Sequence, residues 1–555
     1  MSNANDIINS LRMCSVALGW DAVVAYDRNK VNQLLLQQYI EKRAAGVQYP
    51  PISFENEKYG IKLQDVVLGV PLISFEDSKI TASQATATMK FISGSIVYTN
   101  SNGQVIKWEK ISPANNYAIK LNVNLEYGNG VVENIGNGVS ENSGKVVIKF
   151  EKGTLLDIEG LNDAPAEIVQ YFRQYIQSNP NEYILGVLKP NNGKNRLYPK
   201  KFIVRTQPAP SGTLRDSKNY GDGAVLLFIA TNYNAGGGNL PGDNYPYIIP
   251  EGKSAALIIG NATLFGNIFA EHFKKYIDDA AFTTINSGQN SPVTLQFTGG
   301  YTPTNEIIDG SVTFLDSTTR YKSCDEKGEV QVAHLPFNKF TIAADVEDNE
   351  SKHVVLQFPE NHTYNHRFSA SWDYYGPAGW IHQDYLNDYT FSCDGKCKAE
   401  VSLKENNIIS FSTVGKITVK CIKSEHSRLS LIESNGTEKM ANQLTDKINK
   451  TGFFELPDIN TFYIQHILFP NSEVLEFDQI AVPGDLVLFG DISPTLTGLK
   501  VEPAEILLSA NKTQQFTVTP AKNVKWSISP VDLGSISTSG LYTAPSVASI
   551  GESKP

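Results

Sequence analysis

Cysteine is scarce in this chain: Cys14, Cys324, Cys393, Cys397 and Cys421 are its only five, spread irregularly over 555 positions. An odd, scattered set excludes a disulfide-stapled scaffold and fits synthesis in a reducing compartment. Long apolar runs are lacking too. The longest, Ala224 to Ala230, falls well short of the roughly 18 residues a bilayer-spanning helix needs, so no transmembrane helix is expected. No positively charged segment precedes Arg12, and Met13 to Leu18 is too short and mixed for a signal core. The chain is therefore expected to be cytoplasmic at synthesis, with any release taking a route that uses no standard signal peptide. Basic clusters are also missing. A net charge of −10 without a basic face argues against nucleic acid as a partner, and against purely electrostatic attachment to anionic lipid.

Catalytic signatures are absent as well. There is no Gly-x-Ser-x-Gly elbow, no His-Glu-x-x-His and no credible Ser-x-x-Lys, and the carboxylates form no readable pair. An enzyme is not expected, no cofactor is called for, and no catalytic residue is named. His362 and His366 share an i, i+4 spacing with Cys393 and Cys397. Zinc sites use shorter Cys spacings, and histidines four apart ligate well on a helix rather than a turn, so no metal site is expected. Cys393 and Cys397 could close a small disulfide on release, and the sequence leaves that open. Gly236, Gly237 and Gly238 tempt a phosphate-loop reading, but no Gly-Lys-Ser/Thr follows and Asn239, Leu240 and Pro241 open no helix. An ordinary turn is the better reading.

What is abundant is sheet-forming material: 26 Phe and 25 Tyr in a chain that is 41% hydrophobic and only 19% charged. Trp20 to Tyr26 is a short apolar run, Asp27 a suitable N-cap, and Val31, Leu34, Leu35 and Tyr39 recur at helical spacing. This is a strand feeding an amphipathic helix. Leu36 and Ile40 broaden the stripe, while Lys30, Asn32, Gln37, Glu41 and Lys42 read as the wet face. Residues 117 to 127 alternate cleanly, with Tyr117, Ile119, Leu121, Val123, Leu125 and Tyr127 on one side. Further helices are expected from Asp163, with Ile168, Phe172, Tyr175 and Ile176 on one face, from Leu264 to Ile277, and near Glu438 to Asn449. This order fits no βαβ repeat. The fold class expected is α+β and β-rich, with long curved antiparallel sheets wrapped around a few long helices.

Ser493 to Thr497 is the clearest junction, dividing a body of 1–493 from a tail of 494–555; a further division of the body is expected near 285–300. The tail carries short strands with frequent turn signals, Trp526 and Gly540-Leu-Tyr-Thr-Ala-Pro. It resembles the bacterial Ig-like repeat family in a partial form, an incomplete β-sandwich. Trp372 to Leu386 concentrates two tryptophans and three tyrosines around Gly376, Pro377 and Gly379. On a loop, Trp372, Tyr375 and Trp380 suit a membrane contact or a sugar platform; folded back, they form a satellite core.

Three stretches together resemble one family: Gly19-Trp20-Asp21-Ala-Val-Val-Ala-Tyr; Tyr247-Ile-Ile-Pro250-Glu-Gly252-Lys; and Ile467-Leu-Phe469-Pro470 with Val482-Pro-Gly-Asp485-Leu-Val-Leu-Phe-Gly-Asp491. They are similar to the accessory proteins encoded beside clostridial neurotoxins, the forty-seven-kilodalton protein and its OrfX relatives, within the tubular lipid-binding superfamily. The resemblance implies helices held inside curled sheets with an apolar groove, and it implies no active site. It thereby points to a non-enzymatic protein binding a lipid or other hydrophobic ligand, an accessory or component of a bacterial toxin system, with toxin-complex proteins and a peripheral membrane surface as partners. The groove is expected to involve Leu34, Leu35, Tyr39, Leu264, Ile268 and Phe269. The competing readings are a surface adhesion module using the Ig-like tail and the aromatic stretch, and a pore-forming or insecticidal toxin.

Overall fold

The computed structural model describes residues 2–546 apart from 13, 57, 59, 82, 113–114, 128–144, 151–153, 161–165, 188–194, 235, 277–281, 287–292, 298–299, 302–327, 331–334, 337–338, 377–378, 426–440, 443–444, 447, 451, 453, 466–474, 493–499, 504–505, 507, 520–523 and 529–532. Its centre is a six-stranded antiparallel sheet in the order Pro199–Pro208, Gly223–Thr231, Ala22–Asp27, Ala255–Ile259, Leu486–Ile492 and Leu475–Ala481. Strands from both ends of the body meet here. The inner four are apolar at nearly every position because the sheet is covered on both faces. Val23, Ala25, Leu226, Phe228, Ile258 and Phe489 pack on one side against Ile7 and Leu11 of helix α1 (Ala4–Leu11) and against Trp20 and Tyr245. Val24, Tyr26, Leu227, Leu257 and Leu488 join the main core on the other.

That main core runs through two curled halves. In the first, an eight-stranded antiparallel sheet runs Ile52–Asn56, Ile61–Ser74, Gln84–Thr99, Ala118–Tyr127, Lys145–Lys149 and Glu182–Val187, with Val105–Lys110 and Thr154–Glu159 as side branches. It wraps around helix α2 (Arg28–Ala44), which Asp27 caps by accepting the Lys30 amide at 3.0 Å. Helix α3 (Ala166–Ser178) buries Ile168, Phe172 and Ile176 against the same core. The second half carries a seven-stranded and a four-stranded sheet, and the helical segment 261–273 reaches into it, with Phe269 against Phe411 and Phe273 against Phe297. The β-rich, antiparallel, curled architecture expected from the sequence is the one observed. Short strands about Phe516, Trp526 and Tyr542 form the tail, and the junction near Ser493 lies outside the described residues.

Helix α2 is tied to its sheet by two side-chain amides. Asn32 accepts from the Ile73 amide at 2.8 Å and donates to the Ile73 carbonyl at 2.9 Å. Gln38 accepts from the Ile184 amide at 2.8 Å and donates to the Ile184 carbonyl. Ile73 lies beyond Val66, where the pairing of Ile61–Ser74 with Ile52–Asn56 has ended, and Glu182–Val187 closes the other side of the sheet. The two amides therefore satisfy backbone groups on opposite edges. Six residues apart, they stand roughly 120° apart around the helix, as two separate edges require. Asn32, read from sequence as part of the wet face, is one of these clamps.

Two buried carboxylates fix the end of the central sheet. Asp21 accepts from the Thr231 amide and hydroxyl at 2.6 and 2.7 Å and from the Thr263 hydroxyl at 2.6 Å. Asp485 accepts from the Asn261 amide at 2.8 Å, the Val16 amide at 2.9 Å and the Ser15 hydroxyl at 2.8 Å. Together they hold the start of segment 261–273. Burial pushes the Asp485 carboxyl up to about 6, opposed by these hydrogen bonds. The triple glycine serves close packing. A Cβ on Gly238 would lie 2.4 Å from the Leu18 carbonyl, and one on Gly237 would lie 2.8 Å from the Trp20 ring. Trp20 in turn donates to the Asn239 carbonyl at 2.8 Å.

Asn32→Ala or Gln38→Ala leaves an edge N–H and C=O unpaired beside the core, so each is expected to cost about 2 kcal/mol. The Ile73 or Ile184 amide should lose hydrogen-exchange protection in the matching variant and not in the other. A second expectation concerns pH. With its folded value raised above the unfolded one, Asp485 contributes stability that is fully present below about pH 4 and lost as the pH climbs through 6. Urea titrations of the wild type and Asp485→Asn at pH 4 and 7 should diverge in this sense, the wild type losing about 3 kcal/mol relative to the variant on the way up.

Candidate functional site

The expected groove residues separate into two groups. Val31 and Leu35 of α2 are fully buried, with Leu34 and Tyr39 partly so, and the Tyr39 hydroxyl donates to the Leu68 carbonyl at 3.0 Å. Leu264 and Phe269 are also enclosed, whereas Ile268 reaches the wall of an open cleft. Leu36 and Ile40, which broaden the apolar stripe, lie 36% and 53% exposed.

The cleft at Ile268 has a volume of about 460 Å³ and is lined by Asn195, Arg196, Leu197, Tyr233, Ile268, Asp458, Ile459, Asn460, Phe462 and Tyr463. These residues come from both halves of the body. Its floor is apolar: Leu197, Ile268 and Ile459 are buried and belong to the main core or its margin. One side is aromatic, since Tyr463 meets Tyr198 edge to face at 5.3 Å and Phe462 at 5.4 Å. A single guanidinium stands at the rim. Arg196 lies 4.8 Å over the Tyr233 ring and pairs with Glu271 at 2.6 Å. Burial first, and Glu271 second, push the Tyr233 hydroxyl up to about 12, so it stays protonated. Asp458 pairs with Lys404 at 3.0 Å.

Beneath this cleft the helical segment 261–273 changes pitch: Leu264–Phe269 forms a π-helical stretch between Asn261–Thr263 and Ala270–Phe273. A wider turn of this kind is rare and recurs at functional positions. Leu264, Phe265, Ile268 and Phe269 are all buried in this stretch, and Ile268 also lines the cleft. The arrangement suits an apolar body ending in a polar or anionic group; it holds no nucleophile paired with a base. Among the described residues, no group of His, Cys, Asp and Glu has the geometry of a metal site.

Sequence reasoning found Ile268 and missed Arg196, Tyr233, Phe462 and Tyr463. The aromatic stretch takes a different form from the expected loop. His362–Gly376 and Gly379–Asp394 are long paired strands, with Trp372 opposite Gln383 and Tyr375 opposite Trp380. Gly376 and Gly379 stand opposite each other where the two strands meet. The side chains of Trp372, Tyr375 and Trp380 lie outside the described ones. Cys393 and Cys397 are both free thiols, and burial pushes them up to about 12 and 11.

No protein-family model matches the chain, and no curated protein matches it. Solved structures do. P47 from Clostridium botulinum A2 superposes with a TM-score of 0.47 at 12% identity, over 86% of this chain and 98% of that one. A lipopolysaccharide binding protein superposes with a TM-score of 0.24 at 8% identity, over 86% and 99%. P47 of Clostridium botulinum E1 gives a TM-score of 0.50 at 12% identity, over 86% of this chain and 100% of that one. The resemblance carried by the Trp20, Tyr247 and Asp485 stretches thus holds at the level of fold, and the chain is similar to the P47 neurotoxin-cluster accessory protein over most of its length.

Proposed function

We propose that this chain is a non-enzymatic carrier of a lipid or comparable hydrophobic ligand, serving as an accessory or component of a bacterial toxin system. The observation that carries the ligand reading is the cleft at Ile268: an apolar floor over a π-helical turn, aromatic rings along one side and a guanidinium at the rim. Each methylene taken from water into such a floor contributes about 0.8 kcal/mol, so about ten are needed for micromolar binding. The cleft volume lies at the small end of ligand sites, which favours one acyl chain over a multi-chain lipid. The fold likeness to P47 supports the toxin-accessory part of the reading.

The test uses protein purified from its native host. Organic-solvent extraction followed by mass spectrometry should release an acyl-chain molecule, and an environment-sensitive fatty-acid probe should bind the emptied protein. Ile268→Trp fills the floor and should weaken probe binding about tenfold, at a cost of about 1–3 kcal/mol in stability from overpacking against the core. An extract free of acyl chains, together with probe binding that Ile268→Trp leaves intact, would rule the cleft out.

A further inference from the structure

The strand Val105–Lys110 is an exposed edge of the eight-stranded sheet. It pairs with Gln84–Thr99 on one side only, and among the described residues no strand pairs with its outer edge. Its side chains are nearly all exposed, including Val105 at 62%, Ile106 at 68% and Trp108 at 52%. Edge strands are ordinarily kept short or polar, because their free backbone groups and apolar side chains recruit another strand. The loop ahead of this one, Asn100 to Gln104, is polar and internally hydrogen-bonded, with Asn100 accepting from the Asn102 and Gln104 amides at 3.0 and 2.9 Å. Such a tip is poorly suited to enter a bilayer, and the apolar residues sit behind it along the edge.

The register shows which backbone groups are free. The Ile111 amide donates to the Gly94 carbonyl at 2.9 Å, and Glu109 and Lys107 stand opposite Ile96 and Tyr98 in the same ladder. Odd-numbered residues therefore bond inward, while Trp108 and Lys110 direct their N–H and C=O outward. A two-fold antiparallel pairing with a second copy, centred on Trp108, sets Trp108 against Trp108 and brings the outward groups into register. In that register alone, among those using the outward groups of Trp108, Lys107 stands opposite Glu109 twice. Within one chain these two already attract, with Nζ to Oε2 at 2.9 Å. Opposite charges directly across a strand pair are favourable and like charges are not. We infer that this edge is the interface of a symmetric dimer in which Val105–Lys110 of two copies pair antiparallel about Trp108.

Sedimentation equilibrium of the full chain, up to on the order of 100 µM, should show a reversible monomer–dimer equilibrium, as expected for a small interface. Trp108→Pro removes an outward N–H and none that bonds to Gln84–Thr99, so it should abolish the dimer while circular dichroism and melting stay unchanged. Lys107→Glu sets like charges across the pair and should weaken dimerisation about tenfold or more. The double change Lys107→Glu with Glu109→Lys restores opposite charges and should recover it. A wild-type chain that is monomeric throughout, or a dimer that survives both Trp108→Pro and Lys107→Glu, overturns the inference. So does binding of the monomer to zwitterionic vesicles through Trp108 without self-association.

Discussion

A sheet curled tightly enough to hold a helix has two edges, and the backbone groups along those edges need partners. Closing the sheet on itself would satisfy them but leave no room for the helix. In this protein α2 does both jobs: Val31 and Leu35 fill the concavity, and Asn32 and Gln38 supply the missing partners at Ile73 and Ile184. Each amide offers a donor and an acceptor in one plane, as a neighbouring peptide group would. The helix is thereby a surrogate strand for both edges. Its position cannot slip along its axis, because a one-residue shift would turn both amides away from their partners.

The second half uses a related device. Asn449 accepts from the Ile417 amide at 3.1 Å and donates to its carbonyl at 2.8 Å, and Thr445 accepts from the Val419 amide at 2.8 Å. Residues 445 to 450 are helical where described, and Thr418–Glu425 pairs with Gly379–Asp394 on one side. Between the halves, the central sheet joins strands distant in the chain, and Asp21 and Asp485 anchor the helical segment that leaves it. The family-like motifs Gly19-Trp20-Asp21 and Val482-Pro-Gly-Asp485 mark this anchorage. Their carboxylates accept from backbone amides and from threonine and serine hydroxyls, which gives these motifs a structural role.

Local patterns made part of this legible. The apolar run before Asp27, the cap itself and the inner stripe of α2 are all as the sequence implies, and so is the strand alternation of 118–127. What local pattern cannot give is a partner distant in the chain. Asn32 and Gln38 look like solvated helix residues until Ile73 and Ile184, 41 and 146 positions away, are placed beside them. The cleft gathers residues from 195 to 463, so only Ile268, lying on a recognisable helix, was in reach. Helix α1 escaped notice because its eight residues bury only Ile7 and Leu11, too few for a clear period. The aromatic stretch reads as a loop because Gly376, Pro377 and Gly379 fall within four positions, whereas the residues on either side form paired strands.

The same physics bears on where a ligand can sit. Around α2, Val31 and Leu35 pack into the core with Leu34 and Tyr39 against it, and the two amides tie the helix to its sheet. Segment 261–273 is held differently: Asp485 and Asp21 fix its first turn, while its middle lacks the regular α-helical bond pattern. The π-helical stretch carries Ile268 to the boundary between the halves, where Arg196, Tyr233 and Tyr463 line the cleft. Stability and access are thus assigned to different helices, the clamped one closing its sheet and the anchored one opening onto the cleft.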